Sequence, residues 1–258
     1  MKFGLHIRAG SPEIAEFAKR LEAEIERAGG SVVTESDVAP AMVLAVGGDG
    51  TMLGAVGLAL RWDVPVLGFN LGTLGFLTEA DPEQMSVVVR RLVDADYEVD
   101  ERLTVSASIG DVSEVGVNDV VVEKIDSTRL VNLEVVIDGT EFATYRADGL
   151  IVATPTGSTA YSFSAGGPVV DPGVAALVLT PVAAHSLFDR PIVLPADSEI
   201  VITVRRDRPV RVNVDKSVLG QIGDGDRVTI GKGLRRARFV TFGAWTFPGL
   251  VREKFGLE

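Results

Sequence analysis

The first hundred residues alternate between two patterns of apolar positions. Short apolar runs of strand length lie at residues 2–8, 31–34, 41–46 and 64–69. Between these runs, apolar residues recur every three or four positions, which predicts one helix with Pro12 at its first position and two more that follow Thr51 and Pro82. Strands that alternate with helices are typical of a doubly wound parallel sheet, in which ligands bind at the carboxyl ends of the strands.

After Glu98 the pattern changes to alternating and β-branched runs that are separated by Gly and Asp turns. These runs predict strands at residues 103–109, 115–123, 132–137, 142–146, 192–194, 199–204, 210–214 and 227–230. Asp138-Gly139 is a hairpin signal between two of them.

The predicted fold class is therefore α/β plus β. An N-terminal, doubly wound parallel α/β domain covers residues 1–98, and a larger, mostly β C-terminal domain covers residues 99–239. No flexible linker joins them. Residues 240–258, which include Trp245 and Phe247, are too few to form a domain of their own. We expect them to pack back on one of the two domains, with the N-terminal domain as the candidate.

Composition limits the chemistry that the chain can use. The 258 residues include no cysteine and two histidines, so oxygen ligands and Mg²⁺ are favoured over a protein-built zinc site. The net charge of −11 argues against nucleic-acid binding and requires an anionic substrate to be held by local groups. No apolar run approaches the length of a membrane span and the N-terminus lacks a signal peptide, which predicts a cytoplasmic protein that binds no membrane.

Residues 44–53, with the sequence LAVGGDGTML, join the third predicted strand to the second predicted helix. Gly47, Gly48 and Gly50 allow backbone amides to form a concave pocket at the helix start, which suits phosphate. The spacing fits neither a Walker loop nor a dinucleotide fingerprint. A carboxylate in such a pocket, Asp49, needs a divalent metal to bind, a hydroxyl to deprotonate, or both. From these residues alone, an ordinary turn with Asp49 as the helix N-cap is an equally good interpretation.

Residues 148–168 form a second dense stretch, in which a predicted strand at 150–153 runs into a turn rich in hydroxyls and glycines. Thr156, Ser158 and Thr159 offer hydrogen-bond donors, and Tyr161 offers a flat face for a base. The alternative is that these hydroxyls cap a short helix that begins near Ser158. The turn carries more small polar groups than capping requires, which favours a ligand site.

Five blocks together resemble the NAD kinase family. They are residues 47–51, residues 68–77, Asn118-Asp119, residues 148–168 and residues 185–195. The Gly-Gly-Asp-Gly element is shared with diacylglycerol-type lipid kinases and phosphofructokinases, whereas residues 154–168 are far more specific. The resemblance implies transfer of the terminal phosphoryl group of ATP or polyphosphate to the adenosine-ribose 2′-hydroxyl of NAD, which gives NADP.

The resemblance also implies roles for individual residues. Asp49 would be the base that deprotonates the 2′-hydroxyl, and Mg²⁺ would offset the charge of the donor. Phosphate contacts would come from Gly47, Gly48, Gly50 and Thr51. Asn118 and Asp119 would fix NAD through their side chains, with Asp119 standing where many relatives have Glu. Contacts with the adenine and nicotinamide ends would come from Asp148, Ser158, Thr159, Ala160, Tyr161, Ser162 and Ser164.

Arg146 stands where the family often has a basic residue that is contributed across a subunit interface, which implies a homodimer or homotetramer. Two positions depart from the family pattern. Asp215-Lys216-Ser217 replaces Asp-Gly-Gln, and Gly54 replaces an arginine that some relatives place near the donor phosphates. We interpret Asp171, Asp189 and Asp215 as solvated or capping residues and His185 as a structural hydrogen-bonding residue.

Two alternatives to an NAD kinase stay open at this point. A lipid or sugar kinase would share the Gly-Gly-Asp-Gly cradle but would leave residues 154–168 unexplained. A regulatory module that binds a dinucleotide without turnover would not need Asp49 as a base.

Overall fold

A computed structural model of the chain describes residues 1–8, 10–33, 38–72 and 75–257. The chain divides into two units, Met1–Glu101 with Ala237–Glu258, and Arg102–Arg236. The C-terminal residues thus belong to the first unit. None of the helices among the described residues is long and apolar enough to cross a membrane.

The elements of the first unit begin with β1 (Lys2–Ile7), α1 (Pro12–Arg27), β2 (Ser31–Val33), β3 (Met42–Gly47), α2 (Asp49–Trp62), β4 (Val66–Asn70), α3 (Met85–Val93) and β5 (Glu98–Arg102). The second unit contains β6 (Val105–Ile109), β7 (Val112–Gly116), β8 (Asp119–Lys124), β9 (Val131–Ile137), β10 (Thr140–Ala147), β11 (Gly149–Ala153), α4 (Tyr161–Ser164), β12 (Ala176–Val182), β13 (Ile192–Pro195), β14 (Ile200–Val204), β15 (Val210–Val214), β16 (Ser217–Ile222) and β17 (Arg227–Lys232). The chain then returns to the first unit with β18 (Ala237–Thr241) and α5 (Phe247–Phe255).

The first unit is a doubly wound α/β domain, as the alternating pattern predicts. Its sheet has the order β2-β1-β3-β4-β18-β5, and β1, β2, β3, β4 and β18 pair in parallel. Helices α1 and α3 bury their apolar stripes on one face, where Phe17 and Leu21 join Leu44 in the core. Helix α2 covers the other face, since the Met52 sulfur lies directly above Gly68 of β4.

The second unit is mostly β and consists of two six-stranded sheets. One has the order β10-β9-β14-β17-β6-β7, and the other has the order β13-β12-β11-β8-β15-β16. Their facing sides share one apolar core, to which Leu133 and Ile202 contribute from the first sheet and Val122 and Leu150 from the second. Side chains alternate along a strand, so Ile151 of β11 points outward, into a smaller apolar cluster with Ala165 and Val170. Part of the segment after β11 therefore packs on the outer face of the second sheet.

Several details of the predicted strands need correction. The single strand predicted at residues 115–123 is wrong, because β7 and β8 lie in different sheets and the chain breaks between them at Val117 and Asn118. The central strand β12 was not predicted. Thr34, Thr73 and Leu74, which belong to predicted elements, lie outside the described residues. The hairpin at Asp138-Gly139 is confirmed, with φ values of 49° and 75° in the turn between β9 and β10.

Candidate active site

The turn between β3 and α2 is built from glycines that leave its backbone open. Gly47 has a φ of 150°, and a Cβ there would lie 2.4 Å from the Thr51 Oγ1 atom, so only glycine fits. Gly48 is the N-cap of α2 without a side-chain capping bond, and no described atom would meet a Cβ on it within 4 Å. The amides of a helix N-terminus thus border open space, which is the arrangement that binds phosphate.

Asp49 occupies the first turn of α2 and is not its N-cap, so the capping interpretation of this residue is wrong. Its Oδ2 atom accepts a hydrogen bond from the Phe76 amide at 2.9 Å, and its Oδ1 atom accepts one from the Leu77 amide at 3.1 Å. A Cβ on Gly75 would lie 2.0 Å from the same Oδ1 atom. The glycine-rich segment after β4 therefore fixes the orientation of the Asp49 carboxylate, which explains why the two glycine-rich blocks occur together.

Two buried polar atoms, which the sequence analysis did not single out, lie near the segment whose amides bind the Asp49 carboxylate. The Asn70 Oδ1 and Thr78 Oγ1 atoms have no hydrogen-bond partner within the described part of the chain. A Cβ on Gly75 would lie 2.6 Å from the Thr78 Oγ1 atom, so that hydroxyl and the Asp49 carboxylate both contact Gly75. No spacing in the sequence marks Thr78, because its position beside Asp49 depends on how the loop folds.

Gly54 is explained by its neighbour on β1. A Cβ on Gly54 would lie 2.4 Å from the His6 Nε2 atom, so the imidazole fills the space that a side chain at position 54 would need. Burial lowers the pKa of His6. This chain therefore has a half-buried imidazole beside α2 where some relatives are expected to carry an arginine.

In the second unit, Asn118 and Asp119 lie where the chain crosses from one sheet to the other. The Thr154 Oγ1 atom donates to the Val117 carbonyl at 2.6 Å, and the Thr154 amide donates to the Asn118 carbonyl at 2.8 Å. A Cβ on Gly157 would lie 2.1 Å from that Asn118 carbonyl oxygen. The hydroxyl-rich turn after β11 is thus bound to the Asn118-Asp119 segment, and the structure brings these two predicted blocks together.

Asp119 is buried, and Asn118 is partly buried with its carbonyl oxygen hidden from solvent. The Asn118 Oδ1 atom has no hydrogen-bond partner among the described residues, and Asp119 is only 5% exposed. Burial, followed by the charge of Asp215, raises the pKa of Asp119 to about 7. Asp119 thus carries a carboxyl group that changes its charge near neutral pH.

Asp215 was expected to be solvated or capping, and the first part of that expectation is wrong. Its carboxylate is partly buried and accepts hydrogen bonds from three consecutive amides, those of Val117, Asn118 and Asp119. Burial raises the pKa of Asp215, while those three hydrogen bonds lower it. Asp171 does cap a turn, because its Oδ1 atom accepts from the Gly173 amide at 2.8 Å.

The hydroxyls predicted at residues 158–164 divide into two groups. Ser158 Oγ accepts from the Val170 amide at 2.9 Å, and Ser162 Oγ lies 2.8 Å from Thr180 Oγ1, so these two buried hydroxyls have partners inside the fold. Thr159 is partly exposed and its hydroxyl donates to the Thr156 carbonyl at 3.3 Å, whereas the side chains of Ser164 and Tyr161 are exposed. Ala160, which has no hydroxyl, is partly exposed in the same turn. A ligand-contact role for all these residues stays a prediction.

Tyr161 lines a pocket of ≈ 170 Å³ in the second unit. Its wall also contains Glu123, Lys124 and Asp148, and Lys124 forms an ion pair with Asp148. Burial raises the pKa of Tyr161, and the charges of Glu123, Asp148 and Asp119 raise it further. The pocket therefore offers an aromatic face together with groups of both charges.

Arg146 and His185 lie apart from that pocket lining. Arg146 is exposed on β10, an edge strand, and its carbonyl accepts a hydrogen bond from the His185 amide at 2.7 Å. The Arg146 amide donates to Ser186 Oγ at 3.1 Å. The guanidinium is therefore presented at the edge of a sheet.

Comparison with known proteins identifies the family. Residues 8–97 match the family model of the ATP-NAD kinase N-terminal domain, and residues 117–242 match that of the C-terminal domain. The NAD kinase of Methylibium petroleiphilum is 38% identical over 222 residues, which are 83% of this chain and 74% of that protein.

Two solved structures have the same fold. The yeast NADH kinase complexed with NADH has a TM-score of 0.89 at 26% identity, with 100% of this chain and 88% of that chain covered. The NAD kinase from Archaeoglobus fulgidus in complex with ATP has a TM-score of 0.82 at 28% identity, with coverages of 99% and 98%. These matches show that the chain belongs to the NAD kinase family and is a kinase that phosphorylates NAD.

Proposed function

We propose that this kinase transfers the terminal phosphoryl group of ATP or polyphosphate to the adenosine-ribose 2′-hydroxyl of NAD, with Asp49 as the general base. The observation that carries the proposal is the fixed carboxylate of Asp49. Two loop amides orient it at the start of a helix whose cap, Gly48, borders open space. A carboxylate held beside a phosphate-binding turn suits the removal of a proton from an attacking hydroxyl.

The reaction exchanges one oxygen–phosphorus bond for another. Asp49 takes the proton of the 2′-hydroxyl while that oxygen attacks the terminal phosphorus of the donor. The bond from this phosphorus to the bridging oxygen breaks, and the shortened donor leaves with that electron pair. Orienting the base in advance lowers the entropic part of the barrier. The glycine turn stabilises phosphate charge through its amides and the helix dipole.

The residues present fit a divalent cation that is held mainly by the donor's own phosphates. Among the described residues, no three His, Cys, Asp or Glu side chains cluster into a metal site. Each Asp49 oxygen accepts one amide and retains capacity for another ligand. Mg²⁺ in phosphoryl-transfer sites is commonly bound by one or two carboxylates together with substrate phosphates. When bound, such an ion would offset the negative charge of the donor phosphates.

We further propose that the second unit binds NAD. Asn118 supplies a buried carbonyl oxygen that lacks a protein partner, and Tyr161 supplies an aromatic face. Asp119 pairs with Ala153, five residues after Asp148 on the neighbouring strand, which places the two carboxyl groups roughly 17 Å apart at about 3.4 Å per residue. A site of that length suits an extended dinucleotide better than a single nucleotide.

A homodimer or homotetramer is part of the proposal. Phe142 on the edge strand β10 stacks edge-on against Phe188, with 5.9 Å between ring centroids, and Leu187 beside it is fully exposed. Exposed apolar groups on an edge strand are typical of a contact with another chain. Arg146 lies on the same strand, so a second copy seated there would bring its residues to this guanidinium. The cytoplasmic location and the lack of nucleic-acid and membrane partners stay predictions.

The proposal is tested by incubating the chain with NAD and Mg²⁺ in parallel reactions that contain ATP or polyphosphate. We expect NADP whose new phosphate is assigned to the adenosine 2′-position by ³¹P NMR, with at least one of the two donors. A phosphate at any other position, or no NADP with either donor, would contradict the proposed reaction.

A further inference from the structure

One carboxylate organises the segment that carries Asn118 and Asp119. The Oδ1 atom of Asp215 accepts from the Asn118 amide at 2.8 Å and from the Asp119 amide at 3.2 Å, and its Oδ2 atom accepts from the Val117 amide at 2.9 Å. The Asp215 amide in turn donates to the Asp119 carbonyl at 2.9 Å. Hydrogen bonds from amides to a charged acceptor are stronger than those to a neutral one.

The local backbone is shaped for this contact. Asp215 begins the two-residue turn between β15 and β16 and has a φ of 50°, a left-handed conformation that Asp tolerates better than most residues. A Cβ on Gly116 would lie 2.7 Å from the Asp215 Oδ1 atom, so position 116 must lack a side chain for the carboxylate to enter. The left-handed conformation of Asp215 and the missing side chain at Gly116 are thus both needed for the same three hydrogen bonds.

The opposite side of the segment is held from β11. Thr154 donates to the Val117 and Asn118 carbonyls through its hydroxyl and its amide, respectively. Asp215 and Thr154 together bind the backbone amides and carbonyls of the crossover between the two sheets. The backbone of the crossover therefore needs no hydrogen bond from the Asn118 side chain. Among the described residues, the buried Asn118 Oδ1 atom has no hydrogen-bond partner.

We propose that Asp215 is a positioning residue for NAD binding, which holds the 117–119 backbone so that the Asn118 and Asp119 side chains are presented in a fixed arrangement. This inference rests on the proposed role of Asn118 and Asp119 in contacting NAD. Lys216 and Ser217, at which this loop departs from the family pattern, are exposed. The contacts with the 117–119 segment come from Asp215, which matches that pattern.

Asp215 also acts on Asp119 through its charge. The two carboxyl groups are buried near each other, and the charge of Asp215 contributes to the raised pKa of Asp119. Other charged groups surround the pair. Glu114 of β7 raises the pKa of Asp215, and Tyr161 of α4 responds to the charges of Asp119, Glu123 and Asp148. Removal of the charge at position 215 is therefore expected to lower the pKa of Asp119.

The test compares Asp215→Ala and Asp215→Asn with the unmodified chain. The alanine variant loses all three acceptor bonds, whereas the asparagine oxygen can still accept from the Asn118 and Asp119 amides. Asp207→Ala is the matched control, because this carboxylate accepts from the Asn132 amide at 2.9 Å in the same unit but does not contact the 117–119 segment. For each variant, calorimetry gives the Kd for NAD at several pH values, and steady-state assays give kcat and both KM values.

We expect the Kd and KM for NAD to rise about tenfold or more in Asp215→Ala and less in Asp215→Asn, since each lost charge-assisted bond weakens the arrangement. The KM for the phosphoryl donor should not change. Because the pKa of Asp119 is raised to about 7, we expect NAD affinity to change around that pH in the unmodified chain and at a lower pH in Asp215→Asn. Asp207→Ala should behave like the unmodified chain.

Unchanged NAD affinity in the folded Asp215→Asn and Asp215→Ala variants would overturn the positioning role, and so would an equal loss in Asp207→Ala. If Asp215→Ala fails to fold, the affinity and the pH midpoint of Asp215→Asn decide. Failure of the proposed function is distinguishable, because it appears as absent NADP formation in the unmodified chain, whereas calorimetry still measures NAD binding.

Discussion

Asp49 depends on the conformation of a segment that lies 27 residues further along the chain. The Phe76 and Leu77 amides each donate to one of its oxygens, and Gly75 lies against the carboxylate. Because the base must meet a hydroxyl with correct geometry, a displacement of about 1 Å is enough to lower the rate by roughly 100-fold.

Gly75→Ala is therefore expected to lower kcat by about 100-fold, because the new methyl group would lie 2.0 Å from the Asp49 Oδ1 atom. Calorimetry should find the affinity for NAD little changed. Gly72→Ala is the matched control in the same segment, since no described atom lies within 4 Å of its new Cβ. Equal kcat values for the two variants would show that Gly75 does not protect the carboxylate.

The raised pKa of Asp119 makes the free energy of unfolding depend on pH. Its pKa is raised from 3.8 to about 7 in the folded chain, so the folded state binds more protons than the unfolded state between those values. Stability therefore falls as the pH rises through this window, by up to ~4 kcal/mol for this group. Asp119→Asn removes the titration, so denaturant unfolding should find the variant stabilised more at pH 8 than at pH 5. A difference of the opposite sign would contradict the assigned protonation.

At the residue scale, the sequence could predict what lies close together along the chain. The glycines around Asp49 and the hydroxyls after β11 form short motifs whose chemistry is apparent from the residue types. Asp215 could not be found in this way, because the Asn118 amide that it accepts from lies 97 residues earlier in the chain. The internal partners of Ser158 and Ser162 were equally invisible, since they depend on packing against Val170 and Thr180.

At the scale of elements, hydrophobic periodicity predicted α1, α2 and α3 of the first unit, but not α5, and most strands of the second. It failed where a continuous β-type run changes sheet, at the crossover between β7 and β8, because side-chain chemistry does not mark the break. It also failed at β12, whose Pro181 cannot donate a ladder hydrogen bond and argues against a central strand. Strand neighbours depend on long-range pairing that no local pattern encodes.

The C-terminal helix α5 is expected to support the Asp49 site, although none of its residues is fully buried. Phe255 lies 6.1 Å from the ring of Phe76, and the Lys254 ammonium lies 5.4 Å from that ring's centre. Phe255→Ala should lower kcat by about two- to tenfold, which corresponds to the loss of one aromatic pair. Leu257→Ala is the control at the same exposed terminus. If both variants keep full kcat, α5 has no influence on the Phe76 segment.

At the scale of the whole molecule, the family explains why two units of different architecture occur in one chain. One carries the turn proposed to bind phosphate and the proposed base, and the other carries the pocket proposed to bind NAD. The lipid- or sugar-kinase and non-catalytic alternatives are set aside, because both family models and the curated relative are NAD kinases. The family could be reached from the sequence because five motifs occur in order, whereas the proposed interface between copies has no such motif.

The proposed oligomer predicts a specific effect of Leu187→Asp. The Leu187 side chain is fully exposed beside Phe188. Burying a carboxylate at this position against a second copy would cost free energy. Light scattering should find a smaller assembly, and activity should fall because Arg146 would no longer reach a neighbouring site. Leu234→Asp, at a leucine that is 104% exposed elsewhere in the unit, should change neither property. An unchanged assembly in Leu187→Asp would place the interface elsewhere.

The central claim is that Asp49 is the base for phosphorylation of NAD, and a single-turnover assay with Asp49→Asn tests it most directly. The asparagine keeps the size of the side chain and an oxygen for one loop amide, but it cannot take a proton at neutral pH. We predict that NADP formation slows by about 100-fold or more while calorimetry finds the same NAD affinity. NADP formation at the rate of the unmodified chain would contradict the account.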